Sequence, residues 1–156
     1  MESQNNVQDA YISDLLRELH GALIDIVSVM NQPHRDEALL SKAGVKLDHA
    51  LFPLLVGVNR FGPIGVVEIA QRAGRDYTTV SRQLGKLEEL GLIERRASAA
   101  DRRVHEAVIA PLGKEITGKI DQARDSMGRA VFASWDEAEI VTLVRLMRKF
   151  ADEIGD

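Results

Sequence analysis

From Ile12 onward the chain repeats apolar residues at spacings of three and four: Leu15, Leu16, Leu19, Leu23, Ile26, Val27 and Met30. That period marks one face of an amphipathic helix and predicts a helix over about residues 8–30. The pattern breaks in NQPHRDEALLSKAG, residues 31–44, where Pro33 and its polar neighbours predict a connection. A second helix is expected from Asp48, as N-cap, to Arg60, with Pro53 in its early turns able to kink it. FGPIG then stops it.

Two short helices follow. The first is Val66–Ala73, ended by Gly74 in a left-handed conformation. Asp76 caps the second by reaching the amide of Thr78 or Thr79, and that helix runs to about Leu90, where Gly91 ends it. Val80, Leu84 and Leu87 fall at i, i+4 and i+7 and form its buried stripe, which leaves Thr78, Thr79, Ser81, Arg82, Gln83 and Lys86 for other faces. After Gly91 the period changes. LIERRA and RVHEAVIA alternate as two short strands, joined by the polar hairpin SAADR. Pro111 suits the first turn of the next helix, whose stripe is Leu112, Ile116, Ile120, Met127 and Val131, with Gly118 and Gly128 weakening its interior. Ser134 and Glu137 of SWDE are spaced as a capping box for a last helix carrying Ile140, Leu143, Val144, Met147, Phe150 and Ile154. Trp135 is expected to anchor the bend between these two helices.

The order of elements predicts a mainly α fold with a small β-hairpin wing: a winged helix-turn-helix flanked by N- and C-terminal helices. Residues 48–110 are expected to form the winged helix-turn-helix, and residues 1–47 with 111–156 the helical region that flanks it. The helix-turn-helix rests on spacing. Ala70 is small at the helix contact, Gly74 lies four residues on in the turn, and Val80 six beyond that is an apolar plug.

Composition changes the picture in a few places. The 156 residues fit one domain, and 45% hydrophobic content is ordinary for a globular chain. No apolar run reaches membrane-spanning length, the first ten residues carry no signal-peptide pattern, and a soluble, cytoplasmic protein is expected. The absence of cysteine excludes disulfides, zinc–cysteine sites and thiol switches in this chain. The net charge of −4 speaks against a nucleic-acid partner until its distribution is considered. Residues 60–103 hold nine Lys/Arg against six Asp/Glu, a net of +3, so the remainder carries −7. A basic middle between acidic ends suits a DNA reader on an acidic scaffold.

The polar face of the second short helix then acquires a purpose. A recognition helix presents its N-terminal residues to base edges in the major groove of double-stranded DNA. Hydroxyls reach bases or phosphates, Arg82 or Gln83 can pair with a base, and Lys86 can neutralise a phosphate. Arg75, Tyr77, Thr78, Thr79, Ser81 and Arg96 complete the expected contacts on and beside this helix. At the hairpin tip Arg102 and Arg103 are placed for a minor groove, whose negative potential attracts arginine, and Asp101 is read as the partner that stabilises the wing.

These residues carry a resemblance. EIAQRAG, TTVSRQLGKLEELGLIERR, the Asp-x-Arg of the wing (Asp101 with Arg103) and Gly113 ten residues later are similar in order and spacing to the MarR (multiple antibiotic resistance regulator) family of bacterial transcription regulators. Ala110 departs from it, standing where the family commonly has threonine, and Pro111 is left to start the helix. The resemblance implies that residues 1–47 with 111–156 are a helical dimerisation region, whose N- and C-terminal dimerisation helices interlock with a second copy as a homodimer. Such a dimer reads an inverted repeat with half-sites roughly 10 base pairs apart. It also implies repression, the commoner mode in the family, and a small anionic or phenolic effector that weakens the DNA complex. His20, His49 and Phe52 are candidates for lining its pocket, although residues of these types are more often found in packing or at the surface.

The four histidines are scattered with no pair at i, i+3 or i+4, so no metal is expected, and no cofactor. No Gly-x-Ser-x-Gly, His-Glu-x-x-His, P-loop or dinucleotide fingerprint appears, so no enzyme and no catalytic residue is expected. The rival reading is a winged-helix module for protein–protein contact without specific DNA binding. Loss of basic and hydroxyl residues from helix and wing would mark it, and Arg82, Lys86, Arg102 and Arg103 are all present.

Overall fold

The computed structural model describes residues 2–155. The elements are α1 (Glu2–Met30), α2 (Pro33–Ala43), α3 (Phe52–Phe61), β1 (Ile64–Gly65), α4 (Val66–Ala73), α5 (Tyr77–Glu89), β2 (Ile93–Ala97), β3 (His105–Ile109), α6 (Pro111–Val131) and α7 (Glu137–Ile154). The fold is mainly helical, with a three-stranded antiparallel sheet of order β1-β3-β2. β2 and β3 pair from Ile93 opposite Ile109 to Ala97 opposite His105. The two residues of β1, absent from the sequence reading, pair Ile64 with Ala107 and close the inner edge of the wing.

The main core lies between α3, α4, α5 and the sheet. Leu54, Leu55, Val58, Val80, Leu84 and Leu87 are fully buried there, with Ile64, Ile69 and Ile93 nearly so. Burying side chains of this size stabilises by roughly 1.5–3 kcal/mol each. A second cluster joins Leu39 and Leu40 of α2 and Phe52 of α3 to Ile120 and Ala123 of α6.

Four expectations are corrected. Residues 31–44 are not a bare connection: most of them form α2, with Pro33 in its first turn, where its missing N–H costs nothing, and Gly44 ending it at φ 67°. Only Leu39 and Leu40 of that helix are buried, too few for the periodicity to stand out among charged neighbours. The next helix starts at Phe52, not Asp48, and Pro53 starts it instead of kinking it. Asp48 instead holds the preceding turn, its Oδ1 accepting the Ala50 N–H at 2.8 Å. The capping box before α7 is Asp136 with Glu139, two residues beyond Ser134 and Glu137. On α6 the inward face is Gly113, Thr117, Ile120 and Ala123, while Leu112 and Val131 of the expected stripe point outward.

Among the described residues, the two terminal helices, α1 and α7, bury little of themselves. Along α1, Ile12, Leu15, Leu16, Leu19, Ile26 and Val27 are exposed, as are Val141, Val144, Leu146 and Met147 on α7. In the bend before α7, Trp135 meets Phe132 edge-to-face with ring centroids 5.1 Å apart, yet remains 43% exposed.

Candidate nucleic-acid interface

Helix α4 ends where Gly74 takes φ 63°, and the Arg75 N–H returns to the Ala70 carbonyl at 3.0 Å. A residue with a Cβ would strain that conformation, which is why the turn needs glycine here. The chain leaves the turn through Asp76, whose Oδ1 accepts the Thr79 N–H at 2.8 Å while Oδ2 accepts the Thr79 hydroxyl at 2.6 Å. These bonds hold the Asp76 carboxyl below its ordinary pKa of 3.8, the Thr79 hydroxyl contributing most. α5 therefore starts capped at a fixed place, six residues after Ala70.

The capped helix divides cleanly. Val80, Leu84 and Leu87 are fully buried, while Thr78, Arg82 and Lys86, at i, i+4 and i+8, stand exposed on the opposite face. Tyr77 is 57% exposed at its start, and Thr79 and Ser81 are half-buried on its flanks. Among the described residues, Arg82, Lys86 and Arg102 make no salt bridge, so their charge is not spent within the chain. Two other expected contacts are engaged internally. Arg75 Nη1 donates to the Ala50 carbonyl at 2.7 Å and to Gln83 Oε1 at 2.9 Å. Arg96 pairs with Glu94 at 3.0 Å on the exposed face of β2.

The wing is held by its own turn. Ser98, buried, donates its N–H to the Val104 carbonyl at 2.8 Å, and the Val104 N–H donates to the Asp101 carbonyl at 3.0 Å. Asp101 Oδ1 accepts both the backbone N–H of Arg103 at 3.0 Å and its Nε–H at 3.3 Å. The Arg103 side chain is nonetheless 91% exposed, so its fork remains available beyond the turn. Arg102 is exposed beside it.

One tie between helix and wing escaped the sequence reading. Arg95 Nη2 donates to the Ser81 carbonyl at 2.9 Å, and its Nε lies 3.3 Å from Glu88 Oε2. That Nε is buried and out of line for a hydrogen bond, so the contact with Glu88 is an ion pair only. The signal was present in IERRA: with Ile93 facing inward, period-2 alternation turns Arg95 the same way, an unusual place for a charge.

The effector candidates are not gathered. His20 is exposed on α1, Phe52 is buried in the second core cluster, and His49 lines a shallow cavity of about 490 Å³ that includes neither of them. A larger cavity, about 730 Å³, lies between the end of α1, α2 and the end of α6, and is lined by residues that include Met30, Arg35, Leu39, Lys42, Arg124 and Phe132. Among the described residues no group of three His, Asp or Glu is placed to hold a metal. No described helix is long and apolar enough to cross a membrane.

Residues 47–105 match the model of the MarR family. An uncharacterized HTH-type transcriptional regulator of Bacillus subtilis, YxaD, is 32% identical over 93 residues, 60% of this chain and 65% of that protein. The alignment thus spans just under two thirds of the relative's length. Among solved structures, a MarR family protein from Bacillus stearothermophilus superposes with a TM-score of 0.75 at 20% identity, covering 92% of this chain and 98% of that one. The crystal structure of MarR gives 0.64 at 26% identity, over 85% and 96% of the two chains. A MarR transcriptional regulator from Methanosarcina mazei Go1 gives 0.63 at 21% identity, over 88% and 99%.

Proposed function

We propose that this chain, which belongs to the MarR family, is a sequence-specific DNA-binding transcriptional regulator that reads an inverted-repeat operator as a homodimer and represses until an effector binds. The observation that carries the DNA reading is the exposed row Thr78, Arg82 and Lys86 on a capped helix whose opposite face is fully buried. Such a helix projects its N-terminal half from the body and fits the major groove. Arg102 and Arg103 on the wing supply charge for the adjoining backbone or minor groove. A winged helix used only for protein contact has no need of this unspent basic charge.

The homodimer is supported by the apolar faces of α1 and α7. Contiguous exposed apolar surface of that kind marks an interaction site, and a second copy offers the same two faces in two-fold symmetry. A twofold axis then places two recognition helices on one side of the duplex, one helical turn apart. For the effector, the 730 Å³ cavity combines Arg35, Lys42 and Arg124 with one carboxylate, Asp36, and apolar walls, a net basic lining suited to an anionic or phenolic molecule. Because it joins α1, α2 and α6, a ligand there can shift the helices that set the spacing of the two reading heads. The proposed site of action is the cytoplasm, with DNA.

The test is selection of bound genomic fragments by the purified protein, followed by footprinting. Enrichment of an inverted repeat with half-sites about 10 base pairs apart supports the reading. Fragments recovered at random, while the protein captures no repeat, would contradict it.

A further inference from the structure

Arg75 is expected to touch DNA, yet one nitrogen of its guanidinium is already engaged within the chain. Its Nη1 donates 2.7 Å to the Ala50 carbonyl and 2.9 Å to Gln83 Oε1. A guanidinium Nη carries two hydrogens and accepts nothing, so both hydrogens of this nitrogen are spent. The partner atom on Gln83 must also be its oxygen, because the amide nitrogen has only hydrogens to offer a cation. The anchor is firm: Ala50 is held by Asp48 at 2.8 Å, and the next residue, Leu51, is buried in the main core.

Gln83 lies half-buried on the flank of α5, one turn after Thr79 and next to exposed Arg82. With Oε1 held toward Arg75, the group it can turn outward is Nε2, a donor only. We propose that Arg75 is a positioning residue and that Gln83, oriented by it, determines specificity by reading one base acceptor through Nε2 alone. This rests on the DNA-reading function proposed above. A glutamine with both ends available pairs bidentately with adenine N6 and N7, which requires its donor and its acceptor together. Withdrawing the acceptor removes that advantage. Guanine, with acceptors at N7 and O6, becomes the preferred base, thymine O4 remains readable, and cytosine, which shows a donor at N4, is rejected.

The experiment is binding selection from a library randomised across the half-site, with affinities of the enriched sites then measured at two salt concentrations. Wild type, Arg75→Met, Gln83→Ala and Gln83→Glu are compared. Gln83→Ala is expected to level the preference at one position of each half-site, a loss of about five- to tenfold there, and to leave other positions alone. Arg75→Met releases the amide and is expected to move that same position toward adenine, with the salt dependence unchanged. Gln83→Glu keeps an acceptor for Arg75, and with it the support of the turn, while replacing the outward donor by an acceptor. It is expected to turn the position toward cytosine.

Arg75→Met weakening binding to all sequences alike, with the salt slope reduced by about one, would make Arg75 a phosphate contact and overturn the assignment. So would a half-site whose preferences are the same in all the Gln83 variants. A wild-type protein that enriches no sequence at all fails earlier, and sinks the DNA reading itself along with this inference.

Discussion

Gly113 offers a substitution whose sign the structure decides against helix propensity. It lies in the first turns of α6, just past the wing, where alanine is ordinarily favoured over glycine by about 1 kcal/mol. A Cβ built on Gly113 falls 2.0 Å from the Leu92 carbonyl oxygen and 2.8 Å from the Ile109 side chain. The Leu92 oxygen cannot step aside cheaply. It accepts the Ala110 N–H at 3.0 Å, and Leu92 itself is buried with its own N–H bonded to Leu87. Restoring an ordinary contact means parting α6 from the start of β2 by more than about 1 Å. Overpacking of this kind costs about 1–3 kcal/mol, and the lost hydrogen bond about 1 more. After subtracting the propensity gain, Gly113→Ala should be less stable by about 1–3 kcal/mol. For a chain of this length, that lowers Tm by roughly 3–10 °C. Gly118→Ala is the internal control, since a Cβ there meets nothing within 4 Å. It should gain about 0.5–1 kcal/mol by propensity and reduced unfolded-state freedom. Urea and thermal unfolding at one fixed protomer concentration would measure both, since association shifts apparent stability. A Gly113→Ala protein as stable as wild type would refute the close packing of α6 on β2.

Other expectations follow from single contacts. Asp76 has its carboxyl held below the ordinary value, so its cap is fully present above about pH 4 and is lost as pH falls through the lower folded-state value. Asp76→Asn should keep neutral-pH helicity while removing this part of the acid sensitivity, and a variant with an unchanged acid-unfolding profile would count against it. Leu54→Ala removes a fully buried side chain from the main core and should cost about 2–5 kcal/mol by urea unfolding. On α1, Leu16→Glu together with Leu19→Glu should convert a dimer to monomer in sedimentation equilibrium while circular dichroism still reports a folded wing. Retention of the dimer would move the interface elsewhere.

Where a single local cause fixes the structure, the sequence was readable. Gly74, Asp76 and the Val80–Leu84–Leu87 stripe each act within a few residues, and helix-turn-helix, cap and buried face lie where those residues place them. The errors arose where more distant contacts decide. α2 is stabilised by Leu39 and Leu40 against α6, more than 75 residues away, so its short, charged sequence reads locally as a loop. Leu112 and Val131 fit the helical period of α6, but the close approach at Gly113 sets which side turns inward. In the candidate site, residue types were legible and their engagements were not. Nothing in the spacing of Arg75 and Gln83 distinguishes two groups facing DNA from two groups bound to each other. Likewise His20, His49 and Phe52 share a plausible chemistry but no cavity.

The most direct test of the central claim is a fluorescence-anisotropy titration against an enriched genomic fragment at two salt concentrations, for wild type and for the double variant Arg82→Ala, Arg103→Ala. Tight wild-type binding that weakens as salt rises is expected, with binding by the variant reduced to the level of random DNA and its fold unchanged by circular dichroism. Equal binding by the two proteins, with the same salt slope, would contradict a reading head built on α5 and the wing.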